Sequence, residues 1–189
     1  IAESGPDTAG RENWTEYHTI TAEASPEFTG PKTRSDDACL VYFTSGTVGY
    51  PKMVLHTHAS YPIGHTITGK YWLDLHEDDL VWNLSETGWA KFSWSNLFGP
   101  WSQGTSMFIQ DARGKFNAIE TLDMLNKYPI TTLCAPPTVY RMLVLDEPMQ
   151  YMKAHPPKAL RHCVGAGEPL NPEVIKVWEE ATGMTIRDG

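Results

Sequence analysis

The stretch TSGTVGYPK, residues 44–52, places two glycines, four hydroxyl side chains and one lysine directly after the apolar run CLVYF. Gly46 and Gly49 let the backbone approach a ligand closely, and Thr44, Ser45 and Thr47 add short hydroxyl donors beside them. Lys52 brings a positive charge to the far end, so the composition is that of a loop that holds phosphate. It is not the Walker A loop, which needs glycine before its lysine and Ser or Thr after it. Here Pro51 precedes Lys52 and Met53 follows. Glycines alone also allow the plainer reading of a turn between a strand and a helix.

The 189 residues, 41% of them hydrophobic, supply apolar material for one sizeable core. A net charge of -8 speaks against a general affinity for nucleic acid or an anionic membrane surface, since both reward basic patches. Any bound anion must be met by a local feature. Cys39, Cys134 and Cys163 are widely spaced and odd in number, which argues against a disulfide framework or a metal-spaced pair and for a reducing, cytosol-like compartment. No apolar run reaches the ~20 residues that span a bilayer. The start, IAESGPDTAG, lacks the regions of a signal peptide, and a first residue Ile1 together with an end at Gly189 reads as a piece of a longer chain.

Residues 1–37 are rich in Pro, Gly, Ser, Thr and charge, and are expected to be a connecting segment. From residue 38 to 189, short apolar runs alternate with stretches of helical period. That is the pattern of an α/β fold with a largely parallel sheet flanked by helices. Strands are expected at 39–43, 80–84, 105–109, 130–134, 161–164 and 184–187. The best helix follows Asn171, a cap, with Pro172 at its first position, Gly183 at its exit and Val174, Val177, Trp178 and Ala181 on its core face. A second helix covers 117–127 with Ala118, Leu122 and Leu125 inward, and a third starts after Pro137 and carries Val139, Met142 and Leu143. In such sheets ligands gather beyond the carboxyl ends of the strands. The loops TSGTVGYPK, SETGWAK, APPTVYR and GAGEPL therefore hold the candidate site.

Taken whole, TSGTVGYPK resembles the phosphate-wrapping signature of the adenylate-forming superfamily, and the chain looks like an AMP-forming acyl-CoA synthetase. The family usually has glycine where Met53 stands. SETGWAKFSWSNLFGPW, residues 85–101, resembles the aromatic loop that lines the family's carboxylate pocket, with Gly88 and Trp89 beside the acyl group, and is most like the medium-chain members. For Trp89 alone, ordinary core packing is the competing reading. GAGEPL resembles the adenine-binding turn, with Gly167, Glu168 and Pro169 against the purine, and Asp188 and Gly189 would begin a further adenine contact. APPTVYRML is a weaker match, since a core-facing helix explains it equally well.

The resemblance implies the central part of the large N-terminal domain, over residues 38–189, without the C-terminal part or the small C-terminal domain. It implies that a carboxylate attacks the α-phosphate of ATP, and that CoA then displaces AMP. Thr44, Ser45, Gly46, Thr47, Val48, Gly49, Tyr50, Pro51 and Lys52 would wrap the phosphates, with Lys52, Thr44 and Thr47 as the catalytic residues. Magnesium would come with ATP, held by a glutamate of a signature beyond Gly189. His56 and His58 have no carboxylate or cysteine cluster to complete a metal site. Lys91 and Arg141 lie near the pocket segments but read first as solvated surface charge. An adenylation domain that loads a carrier protein is the nearest alternative, and a non-catalytic or truncated nucleotide-binding module is the alternative of another class. The expected location is cytoplasmic, or the mitochondrial matrix in a eukaryote.

Overall fold

The computed structural model describes residues 15–44, 49–112 and 114–189. Ser45, Gly46, Thr47 and Val48 lie outside the described residues. The chain divides into two compact units, Ile1–Arg34 and Ser35–Gly189. In the first, helix α1 (Tyr17–Glu23) sits in a stretch that composition marked only as a connection, and its N-terminus is capped by the Glu16 carboxylate, which accepts from the Thr19 amide at 2.6 Å. Residues 25–37 carry neither helix nor strand.

The second unit opens with a hairpin rather than with a strand of the main sheet. Strands β1 (Ala38–Thr44) and β2 (Lys52–Thr57) pair antiparallel, with Val41 opposite Leu55, Phe43 opposite Met53 and Thr44 opposite Lys52. The sequence marked the first strand but not the second. The loop between them is too short for the crossover that a parallel neighbour requires, so a return strand is the available partner. The glycine-bearing loop thus joins two strands, not a strand to a helix, and the 39–43 run is not part of the parallel sheet.

Helix α2 (Ser60–Tyr71) leads to a five-stranded parallel sheet. Its strands are β3 (Leu80–Asn83), β4 (Ser106–Phe108), β5 (Thr132–Ala135), β6 (His162–Gly165) and β7 (Ile186–Asp188), in the spatial order β4, β3, β5, β6, β7. Between β3 and β4 run α3 (Ala90–Phe92), a π-helical segment (Ser93–Phe98) and α4 (Gly99–Ser102). The remaining helices are α5 (Ala118–Lys127), α6 (Pro137–Leu143), α7 (Asp146–Ala154) and α8 (Pro172–Thr182).

Side chains alternate across this sheet, and each face has its own core. The row Trp82, Leu133, Cys163 and Ile186 meets α5 to α8 through Leu122, Leu125, Tyr140, Leu143, Met152 and Trp178. Val81, Cys134 and Val164 face the other way, onto Leu73, Leu75, Trp72 and Trp94. On that side, α2 and α4 cross in close contact. A side chain at Gly69 would meet the Gly99 carbonyl at 2.8 Å, and one at Gly99 would meet the Trp94 carbonyl at 2.7 Å. Glycine is the residue that permits this approach.

The cap foreseen for α8 is present, and α5 has one of the same kind. Asn171 accepts from the Glu173 amide at 3.0 Å, Asn117 accepts from the Glu120 amide at 3.1 Å, and α8 ends at Gly183. One expectation fails on α6, where Met142 is 41% exposed while Tyr140 is fully buried. The Tyr140 hydroxyl lies 3.2 Å from the carbonyls of Leu133 and Val164, so the polar tip of this ring is satisfied inside the core and Met142 is turned out.

At the amino ends of the strands, Asp79 precedes β3 and Arg161 precedes β6. Arg161 donates Nε to Asp79 Oδ1 at 3.0 Å and Nη1 to Asp74 Oδ2 at 2.9 Å, and Asp79 is only 5% exposed. Burial alone pushes the Asp79 carboxyl up, but hydrogen bonds from Arg161, Thr131 and the His76 amide outweigh it and hold its pKa at about 2. Folded Asp79 therefore binds a proton less readily than unfolded Asp79. Its stabilisation is complete at neutral pH and is lost as pH falls from the ordinary aspartate range through about 2. We expect Arg161→Met to cost about 2 kcal/mol at pH 7, the scale of hydrogen bonds to a charged group. In urea unfolding, its gap from the wild type should narrow on going to acid, and a gap that stays constant would remove the pair from the account.

Candidate functional site

At the carboxyl end of the sheet, β3 ends at Asn83, β5 at Ala135, β6 at Gly165 and β7 at Asp188. Gly165 pairs with both Ala135 and Asp188 across the ladder. Strand β3 is followed in sequence by β4 on one side of it, whereas β5 is followed by β6 on the other. The chain direction switches between β3 and β5, which is where an open α/β sheet leaves a crevice for ligands.

The turn after β6 forms one wall. Gly167 has φ of 114°, a left-handed conformation that disfavours any residue with a Cβ. Pro169 follows, and the Leu170 side chain drops into the core. The Leu170 amide donates to Asp188 Oδ2 at 3.1 Å, and the Gly189 amide donates to the Gly165 carbonyl at 3.0 Å. Gly167, Glu168, Pro169, Asp188 and Gly189 together line a cavity of about 460 Å³. Five residues picked from two separate stretches of sequence thus share one surface. Glu168 carries a second contact, its Oε1 accepting from Arg141 Nη2 at 3.0 Å.

The segment after β3 forms the neighbouring wall. Trp89 is 68% exposed at the start of α3, so its ring is not part of the packed core. A Cβ at Gly88 would meet nothing within 4 Å, which leaves this point of the loop open. Lys91 overturns its reading as a solvated charge. Its Nζ donates to the Ala166 carbonyl, and burial pushes its pKa below the ordinary lysine value against the pull of Cys134 and Glu168. Arg141 likewise is engaged rather than free. The Lys91 carbonyl accepts from Ser95 Oγ at 2.7 Å and lies 3.5 Å from Asn83 Nδ2. Asn83 and Ser95 were not singled out in the sequence. The signals available were a polar residue closing a buried strand and a serine within a run of aromatics.

Thr44 and Lys52 face each other at the loop end of the hairpin, with Gly49, Tyr50 and Pro51 exposed between them. Neither lines the 460 Å³ cavity. An aromatic cluster fastens this hairpin to the π-helical segment. Tyr42 and Tyr61 share a hydrogen bond of 2.7 Å, His65 lies edge-on to Tyr61 at 4.0 Å between ring centroids, and Phe98 meets Tyr61 at 5.1 Å. Burial first, then the Tyr42 hydroxyl, pushes the Tyr61 hydroxyl well above its ordinary value. Among the described residues, no group of three or more His, Cys, Asp and Glu side chains converges as metal ligands. Nor is any described helix long and apolar enough to cross a membrane.

The profile of the AMP-binding enzyme family matches residues 4–189. The chain belongs to the AMP-binding enzymes. It is 44% identical to the mitochondrial acyl-coenzyme A synthetase ACSM3 of Homo sapiens over 179 residues, which is 95% of this chain and 30% of the relative. It is 44% identical to the human mitochondrial acyl-coenzyme A synthetase ACSM4 over 176 residues, 93% of this chain and 30% of that one. Among solved structures, an anthranilate CoA ligase, AuaEII, in complex with anthranoyl-AMP superposes with a TM-score of 0.77 at 27% identity, covering 97% of this chain and 34% of that one. An acyl-CoA synthetase of Brucella canis gives 0.77 at 29%, covering 96% and 32%. This AMP-binding enzyme chain thus spans about 30% of the length of the curated relatives it matches.

Proposed function

We propose that the full-length protein activates a carboxylic acid with ATP and then transfers it to CoA, and that the acid is a medium-chain fatty acid. The observation that carries the reading is the cavity walled by Gly167, Glu168, Pro169, Asp188 and Gly189 at the carboxyl end of a parallel sheet. A flat backbone turn and a proline ring suit the face of a purine. The relatives named acyl-coenzyme A synthetases support CoA as acceptor over a carrier protein, and favour an enzyme over a non-catalytic nucleotide-binding module. Their names also favour a mitochondrial location over a cytosolic one.

In this reading, a carboxylate oxygen of the acid attacks the α-phosphorus, the bond to the bridging oxygen breaks, and pyrophosphate leaves. The CoA sulfur then attacks the acyl carbon, and AMP departs with its oxygen. The acid brings its own nucleophile, so the protein positions groups and offsets charge. To the hairpin we assign the β- and γ-phosphates. The backbone from Ser45 to Gly49, the hydroxyls of Thr44, Ser45 and Thr47 and the Lys52 ammonium would meet them, with Val48, Tyr50 and Pro51 shaping the loop. Magnesium would enter on the ATP phosphates, in keeping with its preference for substrate oxygens and one or two carboxylates. The acyl chain would run past Gly88 along the exposed face of Trp89.

The test is pyrophosphate release from ATP and magnesium across acids from butyrate to dodecanoate, with benzoate included, followed by thioester formation on adding CoA. Release that requires a medium-chain acid is expected. Release with no acid in the panel would overturn the reading. Within the same panel, Trp89→Ala should shift the ratio of kcat/KM for octanoate over butyrate by about tenfold, the scale on which apolar pockets discriminate. A change confined to the KM for ATP would remove the acyl group from Trp89.

A further inference from the structure

The side chain and backbone of Lys91 tie together three parts of the site. Its Nζ donates to the Ala166 carbonyl, at the root of the 166–170 turn. Its own carbonyl holds Ser95 of the π-helical segment at 2.7 Å and stands 3.5 Å from the amide of Asn83, the last residue of β3. The ammonium lies directly under the strained point of the turn, since a Cβ at Gly167 would come within 3.3 Å of Nζ. On the other flank, Arg141 of α6 grips Glu168 at 3.0 Å. The turn is therefore held at Ala166 from the acid side and at Glu168 from the helix side. Lys91 does not line the 460 Å³ cavity, so it does not act on a ligand there by contact.

We propose that Lys91 is a positioning residue that couples the two halves of the site, so that occupancy beside Trp89 tightens nucleotide binding at the 166–170 turn. The inference rests on the proposed function, which makes the loop at 85–92 the acid side and the turn the nucleotide side. Trp89 is the N-cap of the short helix whose first two residues are Ala90 and Lys91, so a group packed against the Trp89 ring bears on the Lys91 backbone. Because Nζ is hydrogen-bonded to the turn, the turn follows. Linkage then requires the converse, that nucleotide tightens acid by the same factor.

The experiment measures, on the full-length protein with magnesium, the Kd of α,β-methylene ATP by calorimetry without and with octanoate, or with whichever acid of the panel gives the fastest pyrophosphate release. The wild type should show a mutual tightening of about tenfold. Lys91→Met should bring both factors below about twofold, and Lys91→Arg should recover most of the coupling, because a guanidinium can still donate to the Ala166 carbonyl. A lysine that only braces the fold would weaken each ligand alone and leave the coupling factor intact. That result, or an absence of coupling in the wild type, overturns the proposal. If Lys91→Met does not fold, hydrogen exchange on the wild type decides. Octanoate alone should slow the amides of residues 166–168 and 170, and unchanged exchange overturns the proposal. Pyrophosphate release with no acid at all would instead bring down the functional reading, and this inference with it.

Discussion

Lys52→Ala is expected to lower kcat/KM for acid-dependent pyrophosphate release by about 10²- to 10³-fold, the range found when one preorganised donor is removed from developing charge. Lys52 is the only cation in residues 44–52, and it stands opposite Thr44 where the hairpin loop closes. In the proposed reaction charge grows on pyrophosphate as the bond to the α-phosphorus breaks, so the ammonium would gain most in the transition state and the loss should fall on kcat as well as KM. Each neighbouring hydroxyl is neutral. Thr44→Ala should cost about 0.5–1.5 kcal/mol, near tenfold at most. Lys52 is exposed, so its removal should leave stability within about 0.5 kcal/mol. A Lys52→Ala protein with unchanged pyrophosphate release would take this residue out of the mechanism.

What could be read in advance followed from local chemistry. Asn171, Pro172 and Gly183 bound α8 because a cap, a fixed φ and a left-handed exit are written in single residues. The central parallel strands β3, β5 and β6 were legible as short runs, since strands buried on both faces need no polar alternation. The return strand 52–57 was not, because KMVLHT is half polar and takes its partner from loop length rather than from its own pattern. The π-helical segment was hidden for a similar reason, since it packs on α2 through tertiary contacts, Trp94 Nε1 donating to Thr68 Oγ1 and Phe98 meeting Tyr61. Of the candidate site, the turn 167–169 and the strand end 188–189 were singled out from separate stretches of sequence, and the fold brings them onto one cavity. That Lys91 reaches Ala166, 75 positions away, depends on strand order and could not be read from charge alone.

Trp178→Ala is the substitution expected to damage the fold most, by about 3–5 kcal/mol, the range for deleting a fully buried large aromatic. The indole is 0% exposed on α8, packs edge-to-face on Tyr140 at 5.5 Å, and belongs to the cluster that also holds Leu170, Val174 and Ile186. Leu170 ends the turn after β6 and Ile186 lies two residues before Asp188, so the cavity wall and the buried ring share one packing unit. A hole at Trp178 should therefore loosen that wall as well as the core. Against a stability of about 5–15 kcal/mol for a typical domain, such a loss is severe. Trp178→Phe separates volume from polarity. The indole N–H makes no regular hydrogen bond and has the Cys163 thiol, a weak acceptor, beside it, so a phenyl ring removes a poorly satisfied donor while keeping most of the packing. Urea unfolding followed by circular dichroism should give Phe a cost below about 1.5 kcal/mol and Ala at least twice that. Equal costs would mean that the N–H, not the volume, is what α8 requires at this position.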